Sequence, residues 1–268
     1  MDSLFSQYIH AEYGSFKHAR GISARVGREF HIYHEIILFL DGDAEFVSEE
    51  QRIRLAAPVL IVIPSQTYHQ MVIHGEQECY YRCVLQFDGE TGGPADGLGQ
   101  LSGVRMLAVD GEIRYLFDKL IQTANEGADS GGQILNAVLV LLVDLILRRK
   151  DATGEEAAQN ETVRRAVEYI NANMAGELTI QAVAQACSVS PSSLSHIFRK
   201  EMCISLHKFI VKKRLIHARQ RICAGEPATV AALESGFQDY SGFYKQYKKM
   251  FGALPSRTQP GAGGADDI

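Results

Sequence analysis

Apolar residues in the first ninety positions fall in short runs that are typical of β-strands. β-Branched and aromatic residues dominate these runs, and Gly42, Pro58 and Pro64 are among the residues that separate them. The clearest runs are REFHIYHEIILFL, DGDAEFV, QRIRLAAPVLIVIPS and CYYRCVLQF. Several short strands at this spacing predict a sandwich or a barrel.

Two helical patterns follow a glycine-rich loop, DGETGGPADGLG. In the first pattern, EIRYLFDKLIQTANEG, apolar residues share one face: Ile113, Leu116, Phe117, Leu120 and Ile121. The second pattern runs from Gln133 to Lys150 and contains the longest apolar run of the chain, ILNAVLVLLVDLIL. Asn136 and Asp144 interrupt this run, which is too short and too polar for a membrane span of about 18 to 20 apolar residues. The sequence therefore predicts a helix that is buried, or half buried in a partner.

The second of these helices carries four apolar residues at helical spacing, and the face that they form has two alternative uses. These residues are Leu135, Leu139, Leu142 and Ile146. The face either pairs with its copy in a homodimer or packs against the strands of its own chain. The sequence leaves both alternatives open.

Beyond the polar segment KDATGEEAAQN, which predicts a linker, the chain is helical until its tail. A first helix has a stripe of Val163, Ala166, Val167 and Ile170. Three further helices each begin after a residue that can cap a helix N-terminus: Thr179, Ser190 and Ser205. The helix that Ser190 caps begins at Pro191, and the helix that Ser205 caps is long, LHKFIVKKRLIHARQRI.

A unit of short helix, turn and polar-faced helix occurs twice, once on each side of this long helix. In the first unit Leu194, Ile197 and Phe198 share the apolar face. In the second unit the apolar residues are Phe243, Tyr247 and Phe251, and Gly236 supplies the positive φ angle of the turn. Each unit is similar to a helix-turn-helix whose second helix enters the major groove of DNA.

The net charge of −5 conceals two halves of opposite sign. Residues 161–258 contain 14 Lys and Arg residues against 7 Asp and Glu residues, whereas residues 1–160 contain 13 against 23. This asymmetry predicts that the second half, and not the first, binds a polyanion.

Other features of the sequence indicate a soluble cytoplasmic protein. No secretory signal is found at the N-terminus, and the five cysteines lie far apart without a CxxC motif. No phosphate-binding loop or catalytic triad order is present, so nothing in these motifs predicts an enzyme.

Residues 160 to 258 resemble the DNA-binding domain of the AraC/XylS family of bacterial transcription regulators. The motifs that carry the resemblance are LTIQAVAQACSVSPSSLSHIFRKE, KKRLIHAR, ESGFQDYSGFYKQYKKMFG and ALPS. Ser188 and Cys203 stand where this family usually has glycine, and Arg257 and Thr258 replace its common Tyr-Arg ending.

The resemblance implies which residues read bases and which meet phosphates. The implied base-reading residues are Ser192, Ser193, Ser195, His196, Ser241, Gly242, Tyr244 and Lys245. The implied phosphate contacts are Arg199, Lys200, Lys248 and Lys249. The long helix is expected to set the two reading helices about one DNA turn, roughly 34 Å, apart.

The N-terminal strands resemble the cupin-type effector domain that often accompanies this module. His31, Glu35 and His69 match three of the four cupin metal ligands, while Glu29 stands where the first histidine belongs and His34 is out of register. A carboxylate can replace histidine around iron or manganese. Alternatively, these side chains line a small-molecule pocket or pair with each other, which is the alternative we expect. The sequence thus predicts an effector pocket and no metal or cofactor.

The predicted fold is α+β. An N-terminal β-barrel or cupin-like effector domain (1–95) precedes a helical dimerisation or connector segment (96–150), a linker (151–160), an all-α tandem helix-turn-helix domain (161–258) and a disordered tail (259–268). The family resemblance implies a transcription regulator whose partners are double-stranded DNA, a small-molecule effector such as a sugar, RNA polymerase and a second copy of the chain, without a membrane. A metal-dependent cupin enzyme and a protein-interaction adaptor are the alternative functions.

Overall fold

The computed structural model describes residues 2–11, 14–22, 25–29, 33–49, 51–74, 79–87, 98, 103–126, 131–149, 156–157, 160–174, 176 and 178–258. The chain divides into two compact units, residues 1–157 and residues 158–268. The first unit contains strands and two helices, and the second contains helices, so the predicted α+β fold is confirmed.

The first unit contains eleven strands within the described residues. They are β1 (Asp2–Ala11), β2 (Gly14–Ile22), β3 (Arg25–Glu29), β4 (His34–Asp41), β5 (Asp43–Ser48), β6 (Arg52–Arg54), β7 (Val59–Ile63), β8 (His69–His74), β9 (Cys79–Phe87), β10 (Arg105–Ala108) and β11 (Glu156–Ala157). They form a six-stranded sheet in the order β1-β2-β9-β4-β7-β10 and a five-stranded sheet in the order β11-β6-β5-β8-β3. The paired strands are antiparallel.

The six-stranded sheet is covered on both faces, which explains why its central strands are continuously apolar. On β4, Ile37 and Phe39 belong to a core that the two sheets share, whereas Ile36 and Leu38 belong to a core beneath two helices. Successive side chains of a strand point to opposite faces, so each face of β4 contributes to a different core. The two sheets therefore form a sandwich, one of the two predicted architectures.

The two helices on the outer face of this sheet are α1 (Gly111–Glu126) and α2 (Gly131–Arg148). Within the described residues, α2 is long and apolar enough to cross a membrane by length and composition alone. Burial explains the apolar character of one side of this helix, because the four residues of its predicted dimer face lie in the core between the sheet and the two helices: Leu135, Leu139, Leu142 and Ile146. The alternative in which these four side chains pair with a second copy is therefore wrong.

Part of the segment 151–160, for which the sequence predicts a linker, has regular structure. Glu156 and Ala157 form β11 and pair with Ile53 and Arg52 of β6. Asn160 caps the next helix, where its side chain accepts a hydrogen bond from the Thr162 amide. The remaining residues of this segment and the predicted tail, 259–268, lie outside the described residues.

The second unit contains six helices within the described residues. They are α3 (Glu161–Ala172), α4 (Ile180–Ala186), α5 (Pro191–Met202), α6 (Leu206–Cys223), α7 (Ala228–Glu234) and α8 (Tyr240–Phe251), followed by a 3₁₀ turn (Pro255–Arg257). Helices α3, α4 and α5 pack on one another, and α7 and α8 pack on each other. Helix α6 contacts α5, α7 and α8, so it connects the two groups.

Candidate nucleic-acid interface and effector site

Helix α5 begins as its local sequence predicts. The Ser190 hydroxyl accepts a hydrogen bond from the Ser193 amide at 3.1 Å, and Pro191 occupies the first turn, where a missing amide hydrogen costs nothing. Leu194, Phe198 and Met202 of α5 are buried. The opposite face is therefore left for contacts outside the domain.

The polar face of α5 contains the residues to which the resemblance assigns DNA contacts. Exposed side chains on this face are Ser192, Ser193, His196, Arg199 and Lys200. The hydroxyl groups of Ser193 and Ser190 lie 2.8 Å apart, and Ser195 is half-buried and donates to the Pro191 carbonyl at 2.8 Å. Three of the four implied base-reading residues of α5 are therefore exposed, namely Ser192, Ser193 and His196.

Helix α8 repeats this arrangement with a different cap. The Asp239 carboxylate accepts a hydrogen bond from the Gly242 amide at 2.6 Å, a contact that the sequence analysis did not identify although aspartate is a favourable N-cap residue. Phe243, Tyr247 and Phe251 are buried, as the predicted stripe requires.

The other face of α8 is polar and cationic. Its exposed side chains are Ser241, Lys245, Lys248 and Lys249. Tyr244 is half-buried, and its ring centroid lies 6.3 Å from that of Tyr240. Because the amide of Gly242 is bonded to Asp239, this residue offers only its Cα surface to a ligand.

Both helix-turn-helix turns use a left-handed residue. Gly236 has a φ of 84° in the second turn, as predicted, and Ser188 has a φ of 58° in the first. Cys203, which follows α5, has a φ of 55°. Ser188 and Cys203 thus adopt the conformation for which the resemblance implies glycine, at a cost of about 1 kcal/mol each.

Helix α6 is anchored at both ends by specific side chains. Near its N-terminus the rings of Phe209 and Phe198 meet edge-on, with centroids 5.3 Å apart. Near its C-terminus Nδ1 of His217 lies 2.9 Å from the Ser235 hydroxyl, and the guanidinium of Arg219 lies 5.1 Å from the centroid of the Phe251 ring. Burial lowers the pKa of His217, and the charge of nearby Arg221 lowers it further.

In the first unit, two of the three implied effector residues meet across the sandwich. Glu35 of β4 and His69 of β8 are only 1% and 2% exposed, and Oε2 of Glu35 lies 2.9 Å from Nε2 of His69. The other carboxylate oxygen, Oε1, accepts a hydrogen bond from Gln86 at 2.9 Å. His31, the third implied residue, lies outside the described residues.

The surroundings of His69 hold its ring in one orientation. Nδ1 lies 3.1 Å from the Thr67 carbonyl, and the ring stacks on Phe46 with centroids 5.9 Å apart. His34 lies apart from this pair: its Nδ1 accepts a hydrogen bond from the Ser65 amide at 3.2 Å. Within the described residues, no group of three or more histidine, cysteine, aspartate and glutamate side chains is arranged to hold a metal ion.

Gln86 is a member of this polar cluster that the sequence analysis missed. Its position opposite Glu35 depends on the register between β4 and β9. No local pattern around Gln86 signals this pairing.

Two family models match the chain, and they divide it as the two units do. An AraC-like ligand binding domain matches residues 13–142, and a helix-turn-helix domain matches residues 183–260. The Msm operon regulatory protein of Streptococcus mutans is 24% identical over 263 residues, which are 91% of this chain and 90% of that protein.

Other relatives match over part of their length. The arabinose operon regulatory protein of Escherichia coli is 32% identical over 149 residues, 50% of this chain and 51% of that protein, so the chain spans about half the length of this relative. The crystal structure of a probable AraC family transcriptional regulator from Rhodopseudomonas palustris covers 37% of this chain and 94% of its own, with 31% identity and a TM-score of 0.35. Because both of these domain models match it, the chain belongs to the AraC family.

Proposed function

We propose that the protein is a sequence-specific DNA-binding transcription regulator in which α5 and α8 read two successive major grooves. The observation that carries the proposal is the shared design of these helices. Each has a capped N-terminus, an apolar face buried in its own domain, and an exposed face with hydroxyl groups in the first turns and cations in the last turns. Such a distribution suits a helix whose N-terminal residues contact base edges.

The residues on these faces divide into two roles. Residues proposed to read bases are Ser192, Ser193, Ser195, His196, Ser241, Gly242, Tyr244 and Lys245. Residues proposed to bind phosphates are Arg199, Lys200, Lys248 and Lys249. Serine and histidine make single hydrogen bonds to bases and lack the bidentate geometry of arginine on guanine, so α5 should discriminate modestly between sequences.

The length of α6 supports simultaneous binding of both helices. Its 18 residues span roughly 27 Å at 1.5 Å per residue, comparable to the repeat of about 34 Å between successive major grooves.

Selection from a pool of random-sequence duplexes with the purified protein tests the proposal. We expect enrichment of a motif with two short boxes about one helical turn apart. Enrichment of a single box, or of no sequence at all, would count against the proposal that α5 and α8 both read DNA. Equal affinity for every duplex would favour a protein-interaction adaptor.

We further propose that the first unit binds a small polar effector, such as a sugar, at the Glu35 and His69 cluster. A carboxylate, an imidazole and an amide are groups that hydroxyl-rich ligands use. Here they are almost completely buried and contact one another, so an effector would have to replace the Glu35 contacts to His69 and Gln86. Effector binding would shift the population of arrangements in which both reading helices engage DNA. We do not propose an enzymatic role, because the two family models that match the chain describe a ligand binding domain and a helix-turn-helix domain.

We also propose that the protein works in the cytoplasm as a homodimer and contacts RNA polymerase. The outward face of α2 supports a dimer, since Val140, Leu141 and Leu147 are 50%, 52% and 46% exposed. A second copy would cover this apolar surface.

Replacing Val140 and Leu141 together with glutamate should convert the dimer to a monomer, because like charges would face each other across the seam. Sedimentation equilibrium measures this change. The control variant carries glutamate at Val230 and Leu233, which are similarly exposed on α7 and should leave the dimer intact. A monomeric unmodified protein, or a dimer that survives the α2 substitutions, would refute this seam.

A further inference from the structure

One arginine of α6 contacts the α3–α4 connection, which leads into the first helix-turn-helix unit, and the turn of the second unit. Nη2 of Arg214 donates a hydrogen bond to the Gly176 carbonyl, which lies between α3 and α4, at a distance of 2.9 Å. The same guanidinium lies against Gly236 in the turn between α7 and α8. A Cβ atom on Gly236 would be 2.7 Å from Nε and 2.8 Å from Cζ of this arginine. A single rigid planar group therefore lies between the connection that precedes the first helix-turn-helix unit and the turn of the second unit.

The absence of a side chain at Gly236 has two physical reasons. Its φ of 84° is unfavourable for other residues, and any Cβ would displace the guanidinium of Arg214. Arg214 is half-buried, and this burial lowers its pKa. Partial withdrawal of the group from water makes its bond to the Gly176 carbonyl more important, because an unused buried donor is costly.

The position of Arg214 along α6 gives this contact a specific mechanical effect. Phe209 anchors α6 to α5 near one end of the helix, and Arg219 anchors it to α8 near the other end. Rotation of one helix-turn-helix unit relative to the other about the axis of α6 would not bend this helix, so the stiffness of α6 does not oppose it. Two contacts to backbone atoms from one planar group, placed between the anchors, oppose such a rotation.

We infer that Arg214 is a positioning residue that fixes the rotation of the second helix-turn-helix unit relative to the first, so that α5 and α8 engage consecutive grooves together. The inference rests on the proposed DNA-binding function, but the rotation is a property of the protein alone. Two linked reading units gain affinity only when both can bind at once. Loss of Arg214 should therefore affect binding to two boxes far more than binding to one box.

The first arm of the test compares duplexes that contain both selected boxes with duplexes in which one box is scrambled. Arg214→Met should weaken binding to the two-box duplex by roughly tenfold or more and binding to one box by no more than about twofold. It should also remove the preference for the native spacing over spacings changed by one base pair. The control is Arg221→Met on the same helix, because Arg221 pairs with Glu226 inside the second unit.

The second arm needs no DNA and therefore separates failure of this inference from failure of the proposed function. Distance labels are carried on unnatural amino acids at the exposed positions Gln185 and Gln246. In the full chain they report the distance between the first and the second helix-turn-helix unit. Arg214→Met, and Gly236→Ala as a second variant, should broaden the distance distribution, whereas Arg221→Met should not. A distribution that stays narrow in both variants, or an equal loss of one-box and two-box binding, would overturn the inference.

Discussion

Replacing Arg199 and Lys248 together with glutamine should weaken specific DNA binding roughly 50-fold at 0.1 M salt. Each cation that contacts a phosphate releases counterions, and this contributes about 0.9 to the slope of log affinity against log salt concentration. The double variant should therefore lower the slope by about 1.8, and the difference in affinity should vanish as the salt concentration approaches 1 M.

The location of these two side chains explains why the effect should be on binding alone. Arg199 and Lys248 are exposed in the last turns of α5 and α8, and the apolar faces that stabilise the domain lie on the opposite sides. Exposed substitutions of this kind usually change the free energy of unfolding by no more than about 0.5 kcal/mol. Fluorescence anisotropy titrations at several salt concentrations measure both the affinity and its slope.

A matched control removes two positive charges elsewhere. Arg114 and Arg148 are exposed on α1 and α2 of the first unit, so Arg114→Gln with Arg148→Gln changes the net charge equally. If the phosphates contact Arg199 and Lys248 directly, this control variant should have the same slope of log affinity against log salt concentration as the unmodified protein. An identical decrease in both variants would mean that net charge, and not contact, governs the affinity.

Glu35→Leu should lower the free energy of unfolding of the first unit by about 1–3 kcal/mol, which is the usual cost of leaving a buried hydrogen-bonding group without its partner. The substitution leaves His69 and Gln86 without the two carboxylate oxygens that they contact at 2.9 Å. The His69 ring cannot bond to water instead, because its side chain is only 2% exposed.

The double variant Glu35→Leu with His69→Leu separates the pair from its surroundings. Replacing both members with apolar residues should restore part of the lost stability, because the His69 ring then no longer stands as a buried polar group without its carboxylate partner. Hydrogen exchange of the amides of β4 and β8 measures the local free energy of opening in the full chain. If Glu35 served only an effector, Glu35→Leu would abolish the response to that effector and leave this exchange unchanged.

Local sequence signals predicted the helix starts of the second unit because capping depends on residues three positions apart. Ser190, Thr179 and Ser205 each accept a hydrogen bond from an amide in the first turn of the helix that follows. The conformation of the turn at Gly236 could also be predicted from the sequence, since a positive φ is a property of a single residue. The assignment of DNA contacts to individual side chains came from family resemblance and stays a prediction.

Contacts between distant segments could not be predicted in the same way. The pairing of Glu35 with Gln86 depends on a strand register that no neighbouring residue specifies. The face of α2 that packs on the sheet was ambiguous, because residues 134–147 are apolar on most sides of the helix. Arg214 is one of several cations on α6, and only its distance to Gly176 and Gly236 separates it from the others.

Hydroxyl-radical footprinting on a selected duplex most directly tests whether both polar-faced helices contact one DNA molecule. We predict two protected segments about one helical turn apart on the same side of the duplex. His196→Ala should weaken protection of one segment, and Tyr244→Ala should weaken protection of the other. A single protected segment, or two segments that both variants weaken equally, would contradict the account.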